Sequence, residues 1–529
     1  MYSKKIKLLL SISALALTML VSSCEKDTVG VMKPDVTFYA LSDGTKLLKI
    51  NAMTSDMATS TTTITGLMAN DALTAIDFRP ATGELYGVST QNRLYVINQE
   101  TGAARVIGTA PLNPTISGSA VALDFNPTVD RIRLVTNTGQ NLRLHPETGA
   151  VAATDGVING GASPSIESVA YTNNMAGVTT TILYDIDSKS DKLYKQDPPN
   201  NGTLVEVGSL GIDITASAGF DINPTGDYAL TAVQVSGTWE LHQVDLMTGK
   251  LTKIGNLPSG NINGLAIPTS PVAYAIDESN NLLIFNFMAS GMATSKTITG
   301  LQAGETVLGI DFRPVNGQLY ALGSTSRLYT LNTSSGVATA IGTAPFATLL
   351  VGTSFGFDFN PTVDRIRCIG NLGLNLRLHP ETGVVAAVDG SLNPGMPSIT
   401  ASAYTNNYAG ATTTVLFNID SATDKLTKQD PPNNGTQVEI GSLGVNVESA
   451  GGFDIGSRSG MAYAALKVGT TSSIYTINLT TGAATKVSDL PTSVRAFTLG
   501  TGFYVIRRYS LIVYLLSGGT QNQQVNPSF

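Results

Sequence analysis

The sequence has few of the residues on which many binding and catalytic centres depend. Its 529 residues include two cysteines, Cys24 and Cys368, three histidines and a single tryptophan, Trp239. Two cysteines cannot build a disulfide framework or a thiolate metal site. With so little histidine, the sequence predicts no metal centre and no cofactor. Charged residues make up only 13% of the chain and the net charge is −7, so there is no electrostatic basis for binding nucleic acid.

Long helical patterns are also missing. Outside the first residues we find no stretch with sustained helical periodicity. Glycine is abundant instead, with 53 residues, and short runs of alternating apolar and polar residues lie between Gly-containing turns. Such runs are typical of strands, and the composition therefore predicts an all-β protein.

The first 24 residues have the pattern of an export signal. Lysines within the first seven residues precede an apolar stretch, residues 8–20, that is too short for a good membrane span. Small residues then precede Cys24, which resembles a bacterial lipobox, and acidic residues follow it as in surface-exported lipoproteins of Bacteroidetes. We expect an exported protein whose lipidated Cys24 anchors it in the cell envelope, in the outer membrane and exposed at the surface. The alternative is an ordinary secretory signal with a chance cysteine.

The rest of the chain consists of two copies of one segment. The run Asp124–Arg133 recurs unchanged at Asp358–Arg367, and Arg143–Gly149 recurs at Arg377–Gly383. Such long exact repeats indicate a module copied whole. The predicted organisation is a signal peptide (1–24), a linker (25–35), a first module (36–268), a second module (269–500) and an irregular C-terminal tail (501–529).

A finer repeat lies inside each copy. Residues 75–108 contain four short strand-like runs joined by turns, a pattern typical of a β-propeller blade. Similar units return at about 120–152, 167–207, 217–254, 306–341, 354–387, 400–440 and 452–487. The first unit of each copy has only three strands, and each copy ends in one unpaired strand, residues 263–267 or 494–499. We therefore predict two tandem β-propellers, each with five four-stranded blades and closed by its last strand. A β-sandwich array and a single ten-bladed ring are the alternatives.

The repeated motifs resemble a bacterial family known only as a domain of unknown function, number 4394. The resemblance rests on Asp124–Arg133, Arg143–Gly149, Tyr171–Asn174 and Pro198–Thr203, and it covers both copies. It implies a propeller-like extracytoplasmic module. It implies no activity, substrate or catalytic residue.

An Asp-x-[Asn/Arg]-Pro motif recurs at the ends of predicted strands. Its aspartates are Asp77, Asp124, Asp221, Asp311 and Asp358. An aspartate before a proline can accept backbone N–H bonds and begin a turn, so we predict a structural role. A calcium site formed by Asp124, Asn126 and Asp130 is the alternative, although a calcium loop usually has a denser set of oxygen ligands.

Basic side chains alternate with apolar ones on two neighbouring strands of the third unit of each copy, so that they share one face. This face is a candidate anion clamp, since arginine binds carboxylates and phosphates bidentately. An ion-pair ladder between blades is the alternative interpretation. The candidate residues are Arg131, Arg133, Arg143 and His145 in the first copy, and Arg365, Arg367, Arg377 and His379 in the second.

Long loops rich in Gly, Asn and Ser connect the predicted blades, for example at residues 108–119 and 155–168. Loops on a rigid scaffold are the usual place of function. The candidate ligand face comprises Asn137, Gln140, Asn141 and Asp155, with Asn371, Asn375 and Asp389 in the second copy. Cys368 replaces Leu134 of the first copy and is predicted to be a buried core thiol.

These features favour an extracytoplasmic, lipid-anchored module that binds a glycan, a peptide or an envelope protein. No nucleophile motif or phosphate loop is present, which makes an enzyme the weaker hypothesis. The alternatives are a hydrolase or lyase of the extracytoplasmic propeller type, and a structural spacer in a surface assembly. The oligomeric state stays open.

Overall fold

The computed structural model describes residues 33–288 and 293–503. Within these ranges the chain forms 40 strands and three single-turn 3-10 helices, Ala52–Thr54, Pro199–Asn201 and Pro432–Asn434. The predicted signal peptide, Cys24 and most of the predicted tail lie outside the described residues. The fold is all-β, as predicted.

Twenty strands lie in the first copy. They are β1 (Thr37–Ser42), β2 (Lys46–Asn51), β3 (Ala58–Thr63), β4 (Leu73–Phe78), β5 (Leu85–Ser89), β6 (Leu94–Ile97), β7 (Ala104–Ile107), β8 (Val121–Asn126), β9 (Arg131–Thr136), β10 (Asn141–Leu144), β11 (Val151–Thr154), β12 (Ile166–Tyr171), β13 (Leu183–Asp187), β14 (Lys192–Gln196), β15 (Leu204–Ser209), β16 (Ala216–Ile222), β17 (Ala229–Val235), β18 (Thr238–Val244), β19 (Leu251–Asn256) and β20 (Ile262–Ala266).

The other twenty lie in the second copy. They are β21 (Ala273–Asp277), β22 (Asn281–Phe285), β23 (Thr294–Thr297), β24 (Val307–Arg313), β25 (Gln318–Gly323), β26 (Arg327–Leu331), β27 (Ala338–Ile341), β28 (Phe355–Asn360), β29 (Arg365–Gly370), β30 (Asn375–Leu378), β31 (Val385–Val388), β32 (Ile399–Tyr404), β33 (Leu416–Asp420), β34 (Lys425–Gln429), β35 (Gln437–Ser442), β36 (Ser449–Ile455), β37 (Ala462–Val468), β38 (Thr471–Ile477), β39 (Ala484–Asp489) and β40 (Val494–Leu499).

The described strands form ten four-stranded antiparallel sheets, five in each copy. Eight sheets are simple meanders of four consecutive strands, such as β4–β7. The other two include a strand from the far end of the copy, because β20 pairs with β1 and β40 pairs with β21. Ala40 lies opposite Leu265 in the first pairing, and Ala275 lies opposite Phe497 in the second. The last strand of each copy therefore completes its first sheet.

Tight turns explain why each meander forms where it does. At the turn between β6 and β7, the Asn98 side chain accepts the backbone N–H groups of Glu100 and Thr101, at 3.0 and 3.1 Å. Gly102 ends the turn with φ +75°, a backbone conformation that L-residues rarely adopt. Asn478 and Gly482 repeat the same chemistry in the last meander.

The core lies between neighbouring sheets rather than inside any one of them. Tyr86 in the β4–β7 sheet packs edge-on against Phe125 in the β8–β11 sheet, with ring centroids 5.2 Å apart. Tyr320 and Phe359 repeat this contact in the second copy at 5.1 Å. One end strand of each sheet contacts the end strand of the next, and we call these end strands the innermost strands. In the first copy the contacts form a cycle: β4 with β8, β8 with β12, β12 with β16, β16 with β20, and β20 with β4. The second copy has the same cycle through β24, β28, β32, β36 and β40.

The two copies pack against each other through the turn that follows β4. The Arg79 side chain donates to the carbonyl of Gly317 at 3.0 Å, and the Tyr274 hydroxyl donates to the carbonyl of Ala81 at 2.8 Å. The N–H of Gly502 donates to the carbonyl of Thr82 at 2.7 Å. Phe503, at the start of the predicted tail, is buried and stacks on Phe287 with ring centroids 5.3 Å apart.

Candidate functional site

The predicted loop residues Asn137 and Gln140 lie in the hairpin between β9 and β10. The Asn137 carbonyl oxygen accepts the N–H groups of Ser119 and Ala120, at 3.1 and 3.3 Å. The Gln140 amide accepts the N–H of Ser117 and donates to the carbonyl of Thr115, both at 2.9 Å. These side chains tie the hairpin to the preceding connection. In the second copy, Asn371 makes the matching bonds to Thr353 and Ser354.

Asn141 and Asp155 lie closer to the core, where the β8–β11 sheet meets the β12–β15 sheet. The buried Asn141 amide donates to the carbonyls of Gly156 and Pro199, both at 3.0 Å. Asn375 makes the equivalent bonds in the second copy. The Asn141 and Asn375 side chains therefore hydrogen-bond to the backbone carbonyls of loops and do not point to solvent.

Two arginines of the candidate anion clamp meet on one carboxylate. Arg133 donates to Asp155 at 2.6 Å, and Arg143 makes a bidentate pair with Asp155 at 2.7 and 2.9 Å. Partial burial raises the pKa of Asp155, but the hydrogen bonds from Arg143 and Arg133 outweigh it and bring the pKa below its usual value. Arg367, Arg377 and Asp389 repeat the arrangement. The cluster is an internal ion-pair network, and an external anion would have to displace an aspartate.

The remaining clamp candidates lie at its edge. Arg131 donates to the backbone carbonyl of Asp130 at 2.8 Å, as Arg365 does to Asp364. A His145 ring nitrogen is 3.7 Å from the Glu147 carboxylate. The His379 ring accepts the N–H of Glu381 at 3.3 Å.

Apolar side chains are exposed on the loops of the second copy. Leu349, Val351 and Leu372 are 59%, 54% and 70% exposed, and we call these three residues the apolar loop patch. The loops that carry them are in contact, because Asn371 accepts the N–H of Thr353 at 3.0 Å. The first copy has Thr115, Ser117 and Thr138 at these positions. Exposed apolar surface of this kind is typical of interaction sites.

The repeated aspartates connect neighbouring sheets. Asp77 of β4 accepts the N–H of Phe125 at 2.8 Å, Asp124 of β8 accepts the N–H of Tyr171 at 3.2 Å, and Asp221 of β16 accepts the N–H of Ile267 at 2.6 Å. Each donor belongs to, or directly follows, an innermost strand of another sheet. The prediction of backbone hydrogen bonding is confirmed, but the partner is not the local turn. Asn126 begins that turn instead, by accepting the N–H of Thr128 at 3.0 Å.

These three aspartates also converge on one another. One carboxylate oxygen from each of Asp77, Asp124 and Asp221 lies within 4.8 Å of the other two, and Asp311, Asp358 and Asp454 form the same buried triad in the second copy. Burial raises the pKa of Asp77 well above its usual value, and the charge of Asp221 raises it further. Burial raises the pKa of Asp221 to about 7.

The triads cannot act on a substrate in solution, because their side chains are buried. The calcium alternative considered from the sequence joined Asp124 to Asn126 and Asp130, but Asn126 holds its own turn and Asp130 pairs with Arg79 at 2.9 Å. The aspartates that do come together, Asp77, Asp124 and Asp221, lie in three different sheets, and their spacing along the chain does not show this. The available signal was the recurrence of aspartate at one strand position in three of the five units.

Cys368 is fully buried in the second copy, and burial raises the pKa of its thiol to about 12. The prediction of a core thiol is confirmed. In the described part of the chain, no helix has the length and apolar character needed to cross a membrane.

The family model for "Domain of unknown function (DUF4394)" matches residues 46–266 and 281–500. The chain belongs to this family. The two matched regions coincide with the two copies, so the resemblance inferred from the motifs is confirmed. None of the curated protein sequences matches the chain significantly.

Several solved structures are similar at low identity. The extracellular domain of BT4673 from B. thetaiotaomicron is 11% identical with a TM-score of 0.26, over 86% of this chain and 64% of that one. The Dos1 propeller is 11% identical with a TM-score of 0.25, over 61% of this chain and 82% of that one. PorZ, a surface component of the type-IX secretion system of Porphyromonas gingivalis, is 12% identical with a TM-score of 0.26, over 86% of this chain and 58% of that one. This DUF4394 chain thus spans less than two thirds of the solved BT4673 extracellular domain and of the solved PorZ chain.

Proposed function

We propose that this DUF4394 protein is a lipid-anchored interaction module of the cell envelope that binds a partner protein through the loops of its second copy. The apolar loop patch carries the proposal. Leu349, Val351 and Leu372 are exposed where the first copy has hydroxyl residues. Covering an exposed apolar side chain with a partner favours binding, by about 25 cal/mol for each Å² of apolar surface removed from water.

A protein partner fits this surface better than a glycan does. The patch is aliphatic, whereas sugar rings are usually bound against aromatic faces. The single tryptophan, Trp239, is buried in the core of the first copy. The polar loop side chains Asn137 and Gln140 are already bonded to loop backbone and offer few free groups to a polar ligand.

We further propose that each copy is a closed five-bladed propeller that holds these loops rigidly. The cyclic contacts of the innermost strands support this arrangement. A small cavity in each copy is lined by all five innermost strands, as expected for the axis of a ring. The pairing of β20 with β1 leaves no unpaired inner strand in the first copy.

The envelope location rests on the export pattern that ends at Cys24, which lies outside the described residues. Acylation there would hold both propellers at the membrane surface, since two or more acyl chains give stable anchoring. A Cys24→Ser protein should leave the membrane fraction. If it remained there in full, the lipid anchor would be wrong.

Site-specific photo-crosslinking in producing cells tests the interaction. A photoreactive residue at position 372 should give a discrete protein adduct, and the same residue at position 247 serves as a control, because Met247 is exposed outside the patch. Replacing Leu349 and Val351 by Thr and Ser, the residues of the first copy, should weaken the adduct. Equal adducts from positions 372 and 247, or none from 372, would contradict the proposal.

A further inference from the structure

The aspartate triad of the first copy contains buried oxygens with no partner. Asp77 Oδ1 and Asp124 Oδ2 have no hydrogen-bond donor within the described residues. Asn174, which follows β12, is 0% exposed, and its Oδ1 also has no partner. Its Nδ2 lies 3.4 Å from Asp221 Oδ1 and so places the amide at the triad. Side chains from three sheets and from the segment after β12 therefore meet at one point with unsatisfied oxygens.

Among the described residues, no basic side chain pairs with the carboxylates of this triad. The buried arginines nearest in sequence, Arg79 and Arg133, are bound to other carboxylates, Asp130 and Asp155. Burying several carboxylates without a counter-charge is strongly unfavourable. The triad must therefore take up protons or a cation.

The spacing of the oxygens suits a hard divalent cation. Calcium is held by oxygen ligands at about 2.3–2.6 Å, so two oxygens on one ion lie no more than roughly 5 Å apart. One carboxylate oxygen from each of the three aspartates lies within 4.8 Å of the other two. Rotation of the Asn174 amide about its Cβ–Cγ bond would add a fourth oxygen, since amide oxygen and nitrogen exchange places in that rotation.

We propose that the first copy binds one divalent cation of the calcium class through Asp77, Asp124 and Asp221, with Asn174 as a further ligand. The ion would link three innermost strands and the segment after a fourth. It would stabilise the ring from its axis rather than act in chemistry on a substrate. Because Asp77, Asp124, Asp221 and Asn174 are all buried, we expect slow exchange of the ion.

The second copy provides a natural comparison. There the Thr498 hydroxyl lies 3.1 Å from Asp311 and 2.8 Å from Asp454 and donates within the triad. The equivalent residue in the first copy is Ala266, which has no hydroxyl. A carboxylate that already accepts a hydrogen bond from a hydroxyl gains less from a cation. We therefore expect one tight site per chain, in the first copy.

Metal content and melting temperature of the mature full chain test the proposal. After purification in calcium and exhaustive dialysis, mass spectrometry of the metal should find one calcium per chain, and prolonged EDTA treatment should lower the melting temperature by several degrees. Asp77→Asn should abolish bound calcium, whereas the matched Asp311→Asn should retain it. Absence of calcium from the wild-type chain, or full retention in Asp77→Asn, would overturn the proposal.

Ala266→Thr provides a test that keeps every carboxylate. It introduces into the first copy the hydroxyl that the second copy has, and it should weaken calcium binding at least tenfold while the fold is retained. Affinity is measured by calorimetry on the chelator-treated chain. An unchanged dissociation constant in this variant would refute the ligand assignment even if Asp77→Asn did not fold.

Discussion

Arg79 and Arg313 occupy the same position in the two copies but have different surroundings. Arg79 is 1% exposed, since the second copy covers it, and it pairs with Asp130 and Glu147. Arg313 pairs with Asp364 and with Glu381, which is 66% exposed. Burial raises the pKa of Glu147, but the charge of Arg79 outweighs this and lowers it to about 2. The same motif thus forms a buried ion-pair cluster in one copy and a partly exposed one in the other.

We expect Glu147→Gln to lower the free energy of unfolding by about 1–3 kcal/mol at pH 7, because Arg79 loses a buried partner. The pKa of Glu147 is lower in the folded protein than its ordinary 4.5. Its contribution is therefore present above pH 4.5 and is lost as the pH falls towards 2. Urea unfolding of both proteins across this range measures the difference. The matched Glu381→Gln should change stability by less than about 0.5 kcal/mol, and an equal loss in both variants would contradict this account.

Asp185 is a buried aspartate, and the second copy has a neutral, hydrogen-bonded side chain at the same position. Both of its carboxylate oxygens lack a hydrogen-bond donor among the described residues. Burial raises the pKa of Asp185 well above its usual value, although Arg133 lowers it in part. Asn418 stands at the same position in the second copy and donates to Gln429 at 3.0 Å.

Asp185→Asn should therefore stabilise the chain, by about 1–3 kcal/mol at pH 8. With a folded pKa above the ordinary 3.8, the wild-type aspartate loses its contribution as the pH rises through that range. The advantage of the variant should accordingly grow from pH 4 to pH 8, as thermal unfolding can show. The reverse change, Asn418→Asp, should destabilise with the same pH dependence. A variant that is less stable than the wild type at pH 8 would show that the Asp185 carboxylate has a favourable partner.

The sequence predicted the residue roles that depend on neighbours along the chain or across one hairpin. The burial of Cys368 followed from its replacement of Leu134, and the facing of Arg133 and Arg143 followed from strand alternation. The convergence of Asp77, Asp124 and Asp221 did not follow, since it depends on which sheets lie next to one another. The burial of Arg79 did not follow either, because it depends on how the two copies pack.

At the scale of the element, the turns position each sheet against the one before it. A Cβ at Gly102 would lie 2.1 Å from the carbonyl oxygen of Thr63 in the first sheet, and Thr65 forms a bridge with Ala103 beside it. Turn chemistry was readable from the sequence, and four strands per unit followed from the two-residue period. The close approach between sheets was not readable, since glycine is also common in turns that touch nothing.

Gly102→Ala should therefore cost more than the left-handed conformation alone, which is about 1–2 kcal/mol. Gly226 is the control, because its φ is +76° and a Cβ there would meet nothing within 4 Å. We expect Gly102→Ala to lower the free energy of unfolding by at least about 2 kcal/mol more than Gly226→Ala does, because two segments of backbone must move apart. Chemical denaturation of both variants provides the comparison. An equal loss of unfolding free energy in both would mean that the backbone at Thr63 moves away from the added Cβ at little cost.

At the scale of the whole molecule, the sequence predicted a duplicated all-β chain, and the matched family regions and ten sheets agree with it. The exact repeats and the unpaired terminal strands made this readable. The contact between the copies was not predicted. Two of its residues, Ala81 and Thr82, accept hydrogen bonds from the second copy through their backbone carbonyls, so their side chains carry no signal of the interface.

The central proposal is that each copy is a ring closed by its own last strand. In the first copy β20 pairs with β1 and contacts both β4 and β16. Removal of β20 would expose the inner edge of β1 and leave a gap in the ring. An exposed inner edge is a site for aggregation.

The most direct test compares two proteins that begin at residue 33 and end at residue 268 or at residue 260. Thermal unfolding and size-exclusion chromatography of the two report closure. The account predicts that the longer protein is monomeric and unfolds cooperatively, whereas the shorter one aggregates or melts far lower. A protein that ends at residue 260 and is as soluble and as stable as the longer one would contradict the closure of the ring by β20.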